Sequence, residues 1–174
     1  MSDGPQEAAG SQEAAMATRL RAAMGRFATG VTVVTTVHEG VDHAMTANAV
    51  TSVSLDPPLV LVCVGVGSRF HDAVLGSGVW AVSVLGADQR SSATWLATPG
   101  RPLQGQLAPV PHHRGPHTGV AVLDGSLSAL ECRTVGTYPG GDHTIVVGEV
   151  LGVELPDQAG EALTYYRGGY GRLG

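Results

Sequence analysis

Basic residues are scarce in this chain: ten Lys and Arg stand against fifteen Asp and Glu, for a formal net charge of −5 and a pI near 5.7. With no basic run, nucleic acid is excluded as a partner, because such binding depends on clustered cations that displace counterions. Long apolar runs are also missing, and nothing approaches the roughly 18 residues that a membrane span needs. The opening MSDGPQEAAGSQEAA has neither a basic n-region nor an apolar h-region, so it does not match a secretory signal, and a cytoplasmic location without membrane contact is expected. Cysteine is down to two residues, Cys63 and Cys132, far apart within strand-like runs. That leaves no disulfide framework and no metal-ligand spacing, and buried free thiols are the simplest account.

What is abundant is apolar residues, at 43%, and glycine, at 25 residues, which suggests much buried sheet joined by tight turns. The 174 residues fit one domain that buries roughly 70% of its unfolded surface. Residues 1–12, rich in Ser, Gly, Gln and Ala, are expected to form a disordered tail, and 13–174 a single domain. A helix from about Glu13 presents Leu20, Ala23, Met24 and Phe27 on one face until Gly30 stops it. VTVVTTV (31–37), HAMTANAVTSVS (43–54), LVLVCVG (59–65) and VWAVSVL (79–85) are strand-like, the third suited to burial on both faces, with LDPP as an extended break. SRFHDAVLGSG (68–78) predicts a short helix with Ser68 as N-cap and Gly76 or Gly78 as stop, and ADQRSSATWLA (87–97) another. Residues 98–119 predict a long irregular excursion. Asp124-Gly125 then signals a two-residue hairpin, and TIVVGEVLGVEL (144–155) and ALTYYRGGYGRL complete the strands. Beyond the hairpin, Leu130, Cys132 and Thr134 share one face and Glu131 and Arg133 the other, which predicts a sheet with one dry face. Six or seven strands in hairpin succession with short flanking helices point to a mainly β fold, an antiparallel β-barrel of Greek-key type, closed or split, and not to a βαβ repeat.

Few groups carry chemistry. GVGSRF (65–70) has two glycines after a strand but Phe70 where a dinucleotide fingerprint needs its third, and the strands arrive by hairpins rather than crossovers, so a Rossmann fold is rejected. Ser68 and Arg69 open a helix and could cradle a phosphate, or be a plain N-cap beside a solvated arginine; both stay open on these residues. In MTANAVTSVSLDPP (45–58), Thr46, Asn48, Thr51, Ser52 and Ser54 crowd uncharged donors into one strand end, the surface a flavin requires. Three histidines in HHRGPH (112–117) lie in a proline-broken loop without a carboxylate at helical spacing, so no metal is expected. No nucleophile elbow, Walker loop or His-Glu-x-x-His is present. His143 alone would pass for a surface turn residue.

RFATGVTVVTT (26–36), AMTANAVTSVSLDPPLVLVCV (44–64), SRFHDAV (68–74), LDGSLSALECR (123–133), GDHTIVVGEV (141–150) and YYRGGYGRL (165–173), in this order, resemble the flavin reductase family with its FMN-binding split barrel. The resemblance implies a homodimer that uses NADH or NADPH to reduce FMN or FAD for a separate flavin-dependent monooxygenase. It implies that Thr46, Ala47, Asn48 and Ala49 line the isoalloxazine, with residues of VTVVT (31–35), Val33 and Thr35 foremost, bordering it. Ser52, Val53 and Ser54 would continue towards the ribityl chain and phosphate, and Ser68 and Arg69 would lie near the phosphate. His143 would face the nicotinamide as the catalytic-site histidine, and Arg167 and Tyr170 would help close that pocket. Ala49 stands where many relatives have serine, and Ala44 where glycine is common. Rival readings are an FMN-retaining oxidoreductase for a small substrate, a non-catalytic flavin-binding barrel and a structural β-domain that dimerises.

Overall fold

β-Branched runs separated by glycine and proline turns set the order of elements. A computed structural model describes residues 5–157 and 160–174. Helix α1 (Pro5–Met24) leads into β1 (Thr29–Gly30), β2 (Thr32–His38), β3 (Val41–Ala47), β4 (Val50–Leu55) and β5 (Pro58–Gly65). After α2 (Arg69–Ser77) come β6 (Val79–Val84), a single 3-10 turn (Ala87–Gln89) and α3 (Arg90–Ala97). The remainder is β7 (His112–Arg114), β8 (Ala121–Leu123), β9 (Ser128–Gly140), β10 (His143–Glu154), β11 (Ala162–Tyr166) and β12 (Gly169–Leu173).

Seven strands pair antiparallel in the order β3-β2-β6-β9-β10-β5-β4. The two edges of this sheet, β3 and β4, are consecutive in the chain and separated only by Asn48 and Ala49. Laid flat, seven strands would hold their edges roughly 29 Å apart. Three Cα steps from Ala47 to Val50 reach about 11 Å, so the sheet has to curl until its edges approach. All seven strands send side chains into one dry cluster, including Val34, Met45, Val50, Val62, Val82, Cys132 and Val146, while Phe70 and Val74 of α2 join it. Trp80 is fully buried there, its Nε1 donating to Thr134 Oγ1 at 3.1 Å. Gly148 makes room for it, since a Cβ at that position would lie 2.4 Å from the indole.

The structure departs from the sequence-based expectations in several places. Helix α1 starts at Pro5, inside the stretch expected to be a disordered tail; proline suits a first helical turn, and the Gln, Glu and Ala that follow favour helix. Positions 1–4 lie outside the described residues. Helix α1 ends at Met24, short of the Gly30 stop, and its Met16, Leu20 and Met24, with Phe27 just past its end, are all left exposed by the chain. The 43–54 run is two strands broken at Asn48–Ala49, and LDPP is a tight turn pairing Leu55 with Pro58. Strand β5 alternates, with Val60, Val62 and Val64 inside and Leu59, Leu61 and Cys63 half-covered.

The largest departure is the 98–119 excursion, which is not wholly irregular. Its β7 pairs with β8, so β8 turns away from the Asp124-Gly125 hairpin predicted with β9. The excursion also wraps the outer face of β9, and Glu131 is consequently buried rather than solvated. The Glu131 carboxylate accepts from the backbone N–H of His117 and Thr118 and from Thr118 Oγ1 at 2.6 Å, which replaces the water it loses. Burial, reinforced by Glu131, pushes the Cys132 thiol up to about 12.

Candidate active site

Where the barrel edges approach, a cleft of about 210 Å³ is lined by Val31, Thr46, Ala47, Asn48, Ala97, Tyr165 and Tyr170. Thr46 and Ala47 end β3 and Asn48 sits in the link, so the break between the edge strands itself supplies the polar wall. The aromatic wall comes from the β11–β12 hairpin, whose Arg167-Gly168 turn has φ of 50° and 80°, the geometry of a type I′ turn. That turn makes Tyr165 and Tyr170 cross-strand partners, packed edge to face at 5.4 Å between ring centroids. The Arg90 guanidinium lies 5.7 Å from the Tyr170 ring. Burial, helped by Tyr165, raises the Tyr170 phenol above its ordinary value, so it stays a neutral hydrogen-bonding group.

Within the cleft the Thr46 hydroxyl donates to Ala93 O at 2.6 Å, which commits its hydrogen but leaves its oxygen able to accept. The Asn48 carboxamide makes no hydrogen bond among the described residues and is exposed. Alanine at 47 and 97 keeps the walls flat. Neutral donors and acceptors at one edge, small apolar faces and an aromatic wall fit a planar heteroaromatic ring with a polar and an apolar end.

A second cavity of about 410 Å³ shares Thr46 and Ala97 with the first and runs on past Ser68, Arg69, His43, Arg101 and Gln106. Ser68 is the N-cap of α2, its Oγ accepting from His71 N at 3.2 Å, and Gly78 closes the helix at φ 71°. Free amides at that helix start and the adjacent Arg69 favour an anion. Desolvation, followed by the neighbouring His38 and Arg69, lowers the His43 pKa.

The sequence-predicted residues divide. Thr46, Ala47, Asn48 and Tyr170 meet in the cleft, and Ser68 and Arg69 line the cavity that continues it. Val33 and Thr35 are fully buried beneath, Thr35 donating to Ala121 O at 2.5 Å, and Val31 provides the ring-facing surface in their place. Positions 31, 33 and 35 share one face, so the contact moves along the strand and not across it: Val31 lies at its open end, while Val33 and Thr35 lie deeper, where β2 is buried from Thr32 to Thr36. Ala49 is exposed and its carbonyl accepts from Cys63 N at 3.0 Å. Ser52 and Val53 lie exposed on edge strand β4, outside both cavities, and Ser54 Oγ accepts from Asp56 N in a local turn. Arg167 is exposed at the hairpin tip, its N–H donating to Gly25 O at 2.7 Å.

His143 begins β10 after a Gly141-Asp142 turn in which Gly141 has φ 73°. Its Nδ1 is 2.7 Å from Asp142 Oδ1, and this bond holds the Asp142 carboxyl below its ordinary range. The bond orients the imidazole and leaves Nε2 beside Gly65, where a Cβ would lie 3.7 Å away. Val66 N donates to Asp142 O at 3.0 Å, tying the turn to the Gly65–Ser68 segment that walls the second cavity. The histidines of 112–117 are dispersed: His112 bonds Val110 O, His113 spans Asp124 and Glu154, and His117 packs at Gly152. Tyr165, Ala97, His43 and Arg101 were missed from sequence. Only Tyr165 had a signal, its pairing with Tyr170 across a two-residue turn.

Residues 24–174 match the family described as flavin reductase like domain. The chain is 41% identical over 155 residues to the reductase component of 4-nitrophenol 4-monooxygenase/4-nitrocatechol 2-monooxygenase from Rhodococcus opacus, covering 88% of this chain and 79% of that one. It is 44% identical over 134 residues to an NADH-dependent FAD reductase of Streptomyces globisporus, covering 76% and 73%. The crystal structure of BorF, the flavin reductase component of a bacterial two-component tryptophan halogenase, superposes with a TM-score of 0.85 at 43% identity over 90% of this chain and 98% of that one.

Proposed function

The chain belongs to the flavin reductase-like family, and from that premise we propose that it is an NADH-dependent flavin reductase that delivers reduced FMN or FAD to a flavin-dependent monooxygenase. When bound, the nucleotide and the flavin supply the redox chemistry, a hydride passing from nicotinamide C4 to flavin N5. The chain's work is to bind, orient and exclude water. The observation that carries this reading is the cleft at the barrel split, where Thr46, Ala47 and Asn48 face Tyr170 across a space shaped for a flat ring. The Asn48 carboxamide is free to hydrogen-bond the ring's polar edge, and the Thr46 oxygen is available to accept an N–H. Ser68, Arg69 and the first amides of α2 hold the phosphate end. His143, its Nδ1 fixed by Asp142, presents Nε2 towards the carboxamide of the nicotinamide and fixes that ring's position; no proton leaves carbon, so no strong general base is needed.

A homodimer completes the fold. Helix α1 leaves Met16, Leu20 and Met24 exposed, Phe27 just beyond it is exposed too, and edge strand β4 exposes Val53 and, at 90%, Leu55. Such apolar faces and an open strand edge call for a cover, and a second copy supplies one. Light scattering on the purified protein checks it: a dimer mass is expected, and a monomer mass would refute it. For the activity, the protein is mixed with FMN or FAD and NADH or NADPH in air and nucleotide oxidation is followed. Oxidation well above the protein-free rate is expected with NADH; a rate equal to the control for every pairing would leave a flavin carrier or a structural barrel.

A further inference from the structure

The second cavity is cationic to a degree that one phosphate does not account for. Arg69 and Arg101 line it, no Asp or Glu does, and neither arginine has a carboxylate partner among the described residues; the half-buried His43 beside them adds a hydrogen-bonding imidazole and not a third charge. The two arginines sit side by side, with Arg69 Nη2 donating to Arg101 O at 2.8 Å. The nearby Asp42 is already engaged by Arg114 at 2.6 Å. Like charges held together without a counter-ion destabilise the free protein and favour an anion between them.

Arg101 is held rigidly. Its Nη2 donates to Ala44 O, its Nη1 to Thr98 O at 3.0 Å and its Nε to Gln106 Oε1 at 3.3 Å. Gln106, itself buried, donates to Asp42 O at 2.7 Å and to Leu103 O at 3.2 Å, so the excursion is fastened to β3. A guanidinium has five N–H donors, and three are given to neutral oxygens. Two donors and the full charge remain for a ligand. The cations come from two separate elements, Arg69 from the start of α2 and Arg101 from the excursion, and His43 stands on β3, next to the Ala44 carbonyl that Arg101 holds.

We propose that this excursion builds a second anion station, with Arg101 as its anchor and His43 as its support, that receives the second phosphate of a dinucleotide flavin, so that the chain discriminates FAD from FMN through Arg101. The proposal rests on the flavin reading above and deepens it. A single phosphate at Ser68 and Arg69 satisfies the first station and serves both flavins, whereas the Arg101 station is filled only by a diphosphate. Arginine suits it, because its planar fork meets two oxygens of one phosphate at once.

The test is a titration of riboflavin, FMN and FAD, followed by flavin fluorescence, against the unsubstituted protein and Arg101→Gln, with thermal melting to verify the fold. Arg101→Gln is expected to raise the FAD-to-riboflavin ratio of dissociation constants tenfold or more and the FMN-to-riboflavin ratio less than threefold. Equal rises for FMN and FAD, or no rise in either, would overturn the second station. If Arg101→Gln fails to fold, the unsubstituted protein still decides: millimolar inorganic pyrophosphate should displace FAD and leave riboflavin bound, and displacement of neither would overturn the proposal. Failure of the unsubstituted protein to bind any flavin, riboflavin included, would instead overturn the flavin reading and the station with it.

Discussion

The outer wall of the barrel and the groove at its split treat arginine in opposite ways. On the wall, Arg114 pairs with Asp42 through two hydrogen bonds, at 2.6 and 2.8 Å, and Arg133 meets Glu149 at 2.6 Å. In the groove, Arg69 and Arg101 are given only carbonyl and amide oxygens. A paired guanidinium is electrostatically finished; an unpaired one close to another cation is held in readiness for an anion from outside. The same contrast separates the barrel interior, where Trp80 and its valines fill the space, from the cleft, where small residues at 47 and 97 leave it open. Stability therefore resides in the interior, and ligand recognition in groups the chain leaves unsatisfied.

The contrast is broken most forcefully from the interior. Trp80→Ala should cost about 3–5 kcal/mol of unfolding free energy, as large-to-small changes at fully buried aromatic sites do. Urea denaturation checks this, and at low urea the remaining folded protein should bind flavin normally. Arg69→Gln should act the other way round. It removes a charged donor from the phosphate end, a loss of about 1.5–3 kcal/mol in flavin affinity, while the melting temperature moves little. Fluorescence titration with FMN measures the first and thermal melting the second. His143→Ala is expected to raise the KM for NADH roughly tenfold, about 1.4 kcal/mol, and to leave the flavin dissociation constant within twofold. Loss of flavin affinity instead would place the imidazole in the wrong pocket.

Changes on the wall should be small in every respect. Arg114→Ala, an exposed pair, should cost no more than about 1 kcal/mol and leave flavin and NADH parameters unmoved. The smallest effect is a pH dependence at His113, which lies 3.0 Å from Glu154 and 2.7 Å from Asp124. These bonds, the one to Glu154 first, raise its pKa in the folded state above the ordinary 6.5. Its stabilisation is thus complete below pH 6.5 and lost as pH rises through the raised value. The melting-temperature difference between the unsubstituted protein and His113→Asn should accordingly be larger at acid pH and shrink on the alkaline side.

Strands, turns and caps were legible in the sequence wherever local chemistry decides them. Ser68 and Gly78 cap α2 as their side-chain oxygen and αL geometry dictate, and the Thr-Ala-Asn run reaches the cleft. What escaped was set by distant packing. Asp124-Gly125 carries a hairpin signal, but β8 finds a better partner in β7, and no local pattern announces that choice. Glu131 alternates like a solvent-facing residue until the His117 and Thr118 amides cover it. Arg101 sits in a segment rich in glycine and proline, and only the fastening of that segment to β3 brings it beside Arg69. Val33 and Thr35 lay on the right strand two to four residues past the opening.

The central claim, that the unsatisfied groups at the split bind a flavin and bring NADH to it, is tested most directly by mixing the protein with FMN or FAD under anaerobic conditions, adding NADH and following the flavin's visible absorbance. Rapid bleaching that saturates with NADH, slowed in Arg69→Gln and His143→Ala but not in Arg114→Ala, is the result predicted. Bleaching no faster than in the protein-free mixture would contradict it.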